Sequence, residues 1–257
     1  MYSLFGTKHL ILIAVSILLV VCMYFSTKKW KFETVCKSLL VIAIISEIVK
    51  TFTYIVINED KYGGILPKSD LPFQLCSIQL IFIIIVTITK NEKIKRCILS
   101  FMLPSCLFGG IAAIAIATDS SLNVLPITIQ YFTYHSALCT FSIRLFTEKE
   151  FKWNIKDYLT SLVFVICALF FAIYINSMMY DGTSNVNYMY VVNPPDDNLT
   201  FLNKNGGWLA YMGKYALLVI ICISLCYIKP IIVAIKQKVQ TKKNKSEKHT
   251  DSNKETK

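Results

Sequence analysis

The chain reads as an all-α integral membrane protein, a seven-helix transmembrane bundle. Three observations predict this. Hydrophobic residues make up 54% of the 257 positions and mean hydropathy is +0.53, above the usual range of soluble domains. Seven apolar runs come close to or exceed the roughly 20 residues that a helix needs to cross a hydrocarbon core. The basic residues alternate from loop to loop, so the net charge of +11 reports topology and not a nucleic-acid face.

In chain order the runs are 9–26, 33–57, 70–89, 96–117, 125–146, 157–179 and 207–228. The first is long for a signal-peptide core and lacks a small-residue cleavage site. It is followed by Lys28, Lys29 and Lys31, so it reads as a retained helix. The third opens with Pro72 in its expected first turn. The fourth contains Pro104 and the pair Gly109-Gly110, which allow a kink or close helix packing. No internal repeat is visible, which argues against a two-fold transporter architecture.

Loops after the first, third and fifth runs carry Lys28, Lys29, Lys31, Lys90, Lys93, Lys95, Arg96, Lys149, Lys152 and Lys156. The opposite side carries Lys8, Lys61, Lys68 and Lys204. The positive-inside rule then puts the N-terminus outside and the C-terminus in the cytoplasm. Residues 1–230 form the transmembrane domain. Residues 231–257 form a basic, low-complexity cytoplasmic tail, expected to be disordered and to serve as a topology anchor or an anionic-lipid contact. Richness in Lys, Asn and Ile suggests an AT-rich bacterial genome and a multi-pass plasma-membrane protein. In that setting the sequon at Asn198 means nothing.

All nine cysteines lie in or beside apolar runs, and no C-x-x-C pair occurs. Neither a metal site nor a redox motif is signalled, and no cofactor is implied. Most of these cysteines read as small buried hydrophobes. Of the three histidines, His9, His135 and His249, only His135 is expected within a membrane segment.

The polar residues inside the runs are informative because such groups are costly in hydrocarbon and face a protein interior or cavity. At about 1.5 Å of rise per residue, Cys76 lies roughly 9 Å below the outer surface, His135 and Glu47 roughly 15 Å, and Lys50 roughly 10 Å. Gln74, Gln79, Gln130, Tyr131 and Asn176 share this outer half. Cys76 and His135 form a candidate nucleophile and base, since a thiol needs a neighbouring base to react at neutral pH and histidine titrates in the right range. Tyr131 and Cys139 flank His135 one turn away on its helix face. Glu47 and Lys50, three apart, are spaced to pair. Lys50 is a candidate for holding a phosphate head group, and Glu47 for orienting His135. The outer loop near 180–206 combines turn formers with aromatics, among them Asn187 and Tyr188. It either folds over the bundle mouth or contributes to the interfacial aromatic belt.

Four motifs in fixed order now carry a resemblance: LPFQLC in the third run, YFTYHS in the fifth, then NVNYMYVVNPP and GGWLAYM. Together they resemble the YwaF-like family of bacterial integral membrane proteins, with its LPLHLC-like stretch, fifth-helix histidine, NYMFL…PP segment and Gly-Pro-Trp. The similarity covers nearly all of the membrane region. Distant relatives are the transmembrane protein 164 ether-phospholipid acyltransferase and the androgen-induced hydrolases of branched fatty-acid esters. It implies that Cys76 accepts an acyl group and His135 serves as general base. Two departures stand out: Gln74 replaces a common histidine, and Gly207-Trp208 lacks the intervening proline.

The expected function is that of a lipid acyltransferase or lipid-ester hydrolase acting on membrane lipids. Catalysis falls to Cys76 and His135. Substrate contacts fall to Gln74, Gln79, Glu47, Lys50, Tyr131, Asn187 and Tyr188. The alternative is a non-enzymatic carrier or binding protein for a lipid or small solute, using the same polar groups to line a pocket. No nucleic-acid partner is expected.

Overall fold

A computed structural model describes residues 4–57, 60, 63–182, 186–195 and 199–252. These residues hold eight long helices and no strand. They are α1 (Thr7–Thr27), α2 (Phe32–Phe52, continued by a π turn Thr53–Ile57), α3 (Leu75–Ile88), α4 (Glu92–Ala115), α5 (Leu125–Thr147), α6 (Ile155–Met179), α7 (Gly207–Cys226) and α8 (Ile228–Ser252).

Six segments are long and apolar enough to cross a membrane: Thr7–Thr27, Phe32–Ile57, Lys68–Ile88, Glu92–Ala115, Ile155–Met179 and Gly207–Cys226. Leu125–Thr147 would make the expected seventh and is long enough at 23 residues. Its Thr128, Gln130, His135, Ser136, Thr140, Ser142 and Arg144 place it below that hydropathy. Its position explains the composition. Helices α1, α2 and α4 all pack on α5, and most of its residues between Ile127 and Leu145 are buried. A helix screened by its neighbours can carry polar groups that a lipid-facing helix cannot. Helix α1 is the converse: only His9 and Ser16 are buried, and Leu10, Ile17, Leu18 and Phe25 point outward.

Polar side chains tie the helices together. Arg144 donates to the carbonyls of Lys28 and Trp30, each at 3.1 Å, and so clamps the α1–α2 turn. Arg96 makes a two-pronged bond to Asp157, both arms 2.8 Å, and joins α4 to α6. Asp157 is also the third residue of a capping box with Asn154. His9 is a correction to the expected distribution. It is buried in α1, accepts from the Phe5 amide at 3.0 Å and contacts the Ile114 carbonyl at 2.9 Å.

Pro104 shows how a helix defect is repaired. Proline has no N–H, so the carbonyl four residues earlier loses its intrahelical donor. That carbonyl, Ser100, accepts instead from the buried Tyr227 hydroxyl at 2.7 Å. Tyr227→Phe is therefore expected to cost about 1–3 kcal/mol by leaving a buried acceptor unmade. Unfolding in mixed micelles checks this, with Tyr158→Phe as the comparison. The Tyr158 hydroxyl meets Ser224, which already donates to its own helix. Equal stability of wild type and Tyr227→Phe would refute the account.

Helix α3 begins later than expected. Pro72 lies before it, not in its first turn, because Leu71 takes the extended conformation that a following proline favours (φ −60°, ψ 153°). Cys76 consequently sits in the first turn. Beyond α7, helix α8 continues through much of the stretch assigned to the tail, and Ile231 packs on the core.

Candidate functional site

A cavity of about 520 Å³ lies among α2–α7. At one end, the cap end, it is lined by Glu47, Lys50, Asp70, Gln74, Gln130 and Asn187. Towards the other, basic end the lining is apolar, with Phe101, Leu138, Val165, Val219 and Ile223. Cys76 and His135 both line it between these regions.

Helix α4 serves as a ruler for their levels. A Cβ on Gly109 would lie 3.3 Å from the Leu75 side chain, and one on Gly110 would lie 3.0 Å from the His135 carbonyl. Residues 75 and 135 thus flank adjacent positions of one helix. Cys76, next to Leu75 on α3, and His135 on α5 line two walls of the cavity. Tyr134 spans those walls, its hydroxyl donating to the Cys76 carbonyl at 2.7 Å.

The ring of His135 is nearly inaccessible, at 2% exposure. Its Nδ1 lies 2.7 Å from the Tyr131 carbonyl. A carbonyl only accepts, so Nδ1 carries the proton and Nε2 carries the lone pair. Nε2 is buried and has no hydrogen-bond partner among the described residues. Buried polar atoms are normally satisfied, and one left open beside a cavity is where a ligand or a transferring proton belongs. The Tyr131 ring packs on His135 with centroids 4.3 Å apart.

Gln74 occupies the N-cap position of α3, but its side chain makes no cap bond. Its Oε1 instead accepts from the Met189 amide at 2.9 Å. The first amides of a helix have no intrahelical acceptor. Here those of Leu75, Cys76 and Ser77 sit at the cavity wall without a side-chain cap.

The loop across residues 186–195 folds over the mouth. Met189 and Tyr190 adopt left-handed backbone, φ 52° and 54°, a strained geometry for such residues. The surroundings over-determine it. Asn176 accepts from the Tyr188 amide at 2.9 Å and donates to its carbonyl at 3.1 Å. Tyr215 donates to the Met189 carbonyl at 3.0 Å, Tyr211 to that of Tyr190, and Trp208 to that of Val191 at 2.8 Å. Asn187 braces the loop internally through Val192 and Asn193. Of the two alternatives for these aromatics, the cap over the mouth is the one observed for Tyr188 and Tyr190.

The remaining candidates divide. Glu47 and Lys50 pair at 2.7 Å, and Ser77 donates to Glu47 at 3.1 Å, so Glu47 supports α3 and not the His135 ring. Both line the cavity, as do Gln74, Tyr131 and Asn187. Gln79 turns the other way. It is buried between Ser105, at 3.0 Å, and Cys106, at 3.5 Å, and ties α3 to α4 outside the cavity lining. Tyr188 is wholly buried, its hydroxyl donating to the Lys68 carbonyl, and it too stands behind the lining. Tyr134 was not singled out by sequence; its place one residue before His135 was the available signal. Asn198 lies outside the described residues.

Apolar spanning helices around a two-ended cavity define a multi-pass membrane protein with an internal amphipathic site. The chain belongs to the TMEM164 family, which it matches across residues 4–227. No curated protein and no solved structure matches it.

Proposed function

We propose that the protein is a lipid acyltransferase or lipid-ester hydrolase working through a covalent thioester on Cys76. The observation that carries this reading is that Cys76 and His135 line one cavity, with the His135 Nε2 lone pair buried and without a hydrogen-bond partner among the described residues. Nε2 takes the thiol proton as Cys76 Sγ attacks an ester carbonyl. The S–C bond forms, the ester C–O bond breaks, and the departing alcohol takes the proton from His135. A lipid hydroxyl or water then attacks the thioester and gives its proton to Nε2; the C–S bond breaks, the acyl group leaves on the new oxygen, and Sγ takes the proton back from Nε2. The amides at the start of α3, which no N-cap side chain satisfies, suit the negative charge that gathers on the carbonyl oxygen. Tyr134 positions Cys76 through its backbone carbonyl.

In this reading α5 also crosses the bilayer, giving seven spans with the N-terminus outside and the cap end facing the outer leaflet. The setting is a bacterial plasma membrane, and the chain is a YwaF-like member of its family. Membrane lipids are the substrates.

The test is acyl transfer and release from labelled phospholipids by purified protein in nanodiscs, with mass spectrometry for acylated Cys76. Wild type is expected to turn over and to carry the label. Cys76→Ala, eluting normally by size exclusion, is expected to do neither. Turnover that survives Cys76→Ala would sink the mechanism. Wild type inert across lipid classes, with unlabelled Cys76, would favour a non-covalent carrier built on the same cavity.

A further inference from the structure

We infer that the apolar half of the cavity is an acyl-chain chamber whose floor sets the longest chain the protein accepts. This rests on the acyl-transfer reading for its place in the reaction, but not for its test.

The argument begins with the length of the cavity. Along α4 the lining runs from Phe101 to Ala113, roughly 18 Å at the α-helical rise. The cavity volume of about 520 Å³ extends along that length. That is room for an extended hydrocarbon chain.

The two ends differ in chemistry. The Glu47–Lys50 pair, Asp70, Gln130 and Asn187 make the cap end polar. Below the level of His135, which α4 marks at Gly110, the lining is almost wholly apolar down to Phe101. That stretch is roughly 13 Å deep. Polar groups need hydrogen-bond partners and methylenes need removal from water, so the two-ended lining matches an amphiphile with its head at the cap and its tail towards the basic end. The level of His135 is the boundary between the two regions, where the carbonyl of an acyl chain falls.

The floor is built of rigid parts. Phe101 is 2% exposed, stacks on Phe164 with centroids 5.4 Å apart and meets Phe82 edge-on at the same distance. Ile223 is likewise buried and packs in the main core. Such a floor does not yield to one more methylene without strain.

The experiment measures binding alone. Delipidated protein is offered saturated fatty acids from octanoic to arachidic acid, singly and in pairs, and retention is read by native mass spectrometry. For wild type, retention is expected to hold or rise up to one length and to fall about tenfold or more beyond it, as overpacking sets in. Ile223→Trp raises the floor and should move that break to shorter chains. Phe101→Ala lowers it and should move the break to longer ones. Val219→Trp stands in for Ile223→Trp if that variant fails to elute as a folded species. Breaks that shift in opposite directions support the chamber. A length profile without a break, or one that neither floor change moves, overturns it. Retention needs no turnover, so an inert protein with a movable break would refute the reaction and leave the chamber standing.

Discussion

His135→Asn is expected to lower acyl turnover by roughly two to four orders of magnitude while leaving the fold nearly intact. The asparagine amide can donate to the Tyr131 carbonyl in place of Nδ1–H, which in wild type lies 2.7 Å from it. What asparagine lacks is the Nε2 lone pair, the atom that is buried and open. His135→Leu removes both functions and strips the part-buried Tyr131 carbonyl of a donor, so it should lose stability as well as turnover. Turnover and thermal unfolding measured on the same preparations separate the two effects. Should His135→Asn retain turnover within about tenfold of wild type, the residue is a positioning group and not the base.

Gly110→Ala is the second large effect, and it tests how α4 fixes the site. A Cβ at this position would fall 2.6 Å from Cys139 Sγ and 3.0 Å from the His135 carbonyl oxygen. Neither neighbour is the free end of a flexible chain, so α5 must move away from α4. Overpacking of this kind costs about 1–3 kcal/mol. A displacement of the base by even about 1 Å can reduce turnover about a hundredfold. Gly109→Ala is the matched control, since its nearest contact is the Leu75 side chain at 3.3 Å. Adding Cys139→Ala to Gly110→Ala should restore part of the stability, because the closer clash is with the sulfur. A double-mutant cycle reads that coupling directly. Additive losses would mean that the Cys139 sulfur is not what the added methyl group meets.

The spanning helices were legible because lipid-facing residues must be apolar whatever their neighbours. Helix α5 was legible by length only, since its polar face makes sense once α1, α2 and α4 surround it. Counting residues put Cys76 roughly 9 Å and His135 roughly 15 Å deep, and both line the cavity, although the later start of α3 shows how loosely a helix edge is read beside a proline. Side-chain direction was not available to such counting. Gln79 shares the depth of the site yet turns to Ser105, and Gln74 serves the cap loop from an N-cap position. His9 looked like a terminal residue and is a buried tie from α1 to the end of α4. Each of these depends on a partner distant in the chain, which local pattern does not encode.

The loop at 186–195 also bears on how the protein assembles. Its bonds reach back to Gln74 and the Lys68 carbonyl, and forward to Trp208, Tyr211 and Tyr215. No pair of consecutive helices holds all of these anchors. The left-handed turn at Met189 and Tyr190 is unfavourable alone and is offset only when α3, α6 and α7 have gathered around it. Contacts so distant in sequence close after local ones. The amides of this loop therefore become protected from hydrogen exchange last, and their protection is a spectroscopic mark of a completely assembled bundle.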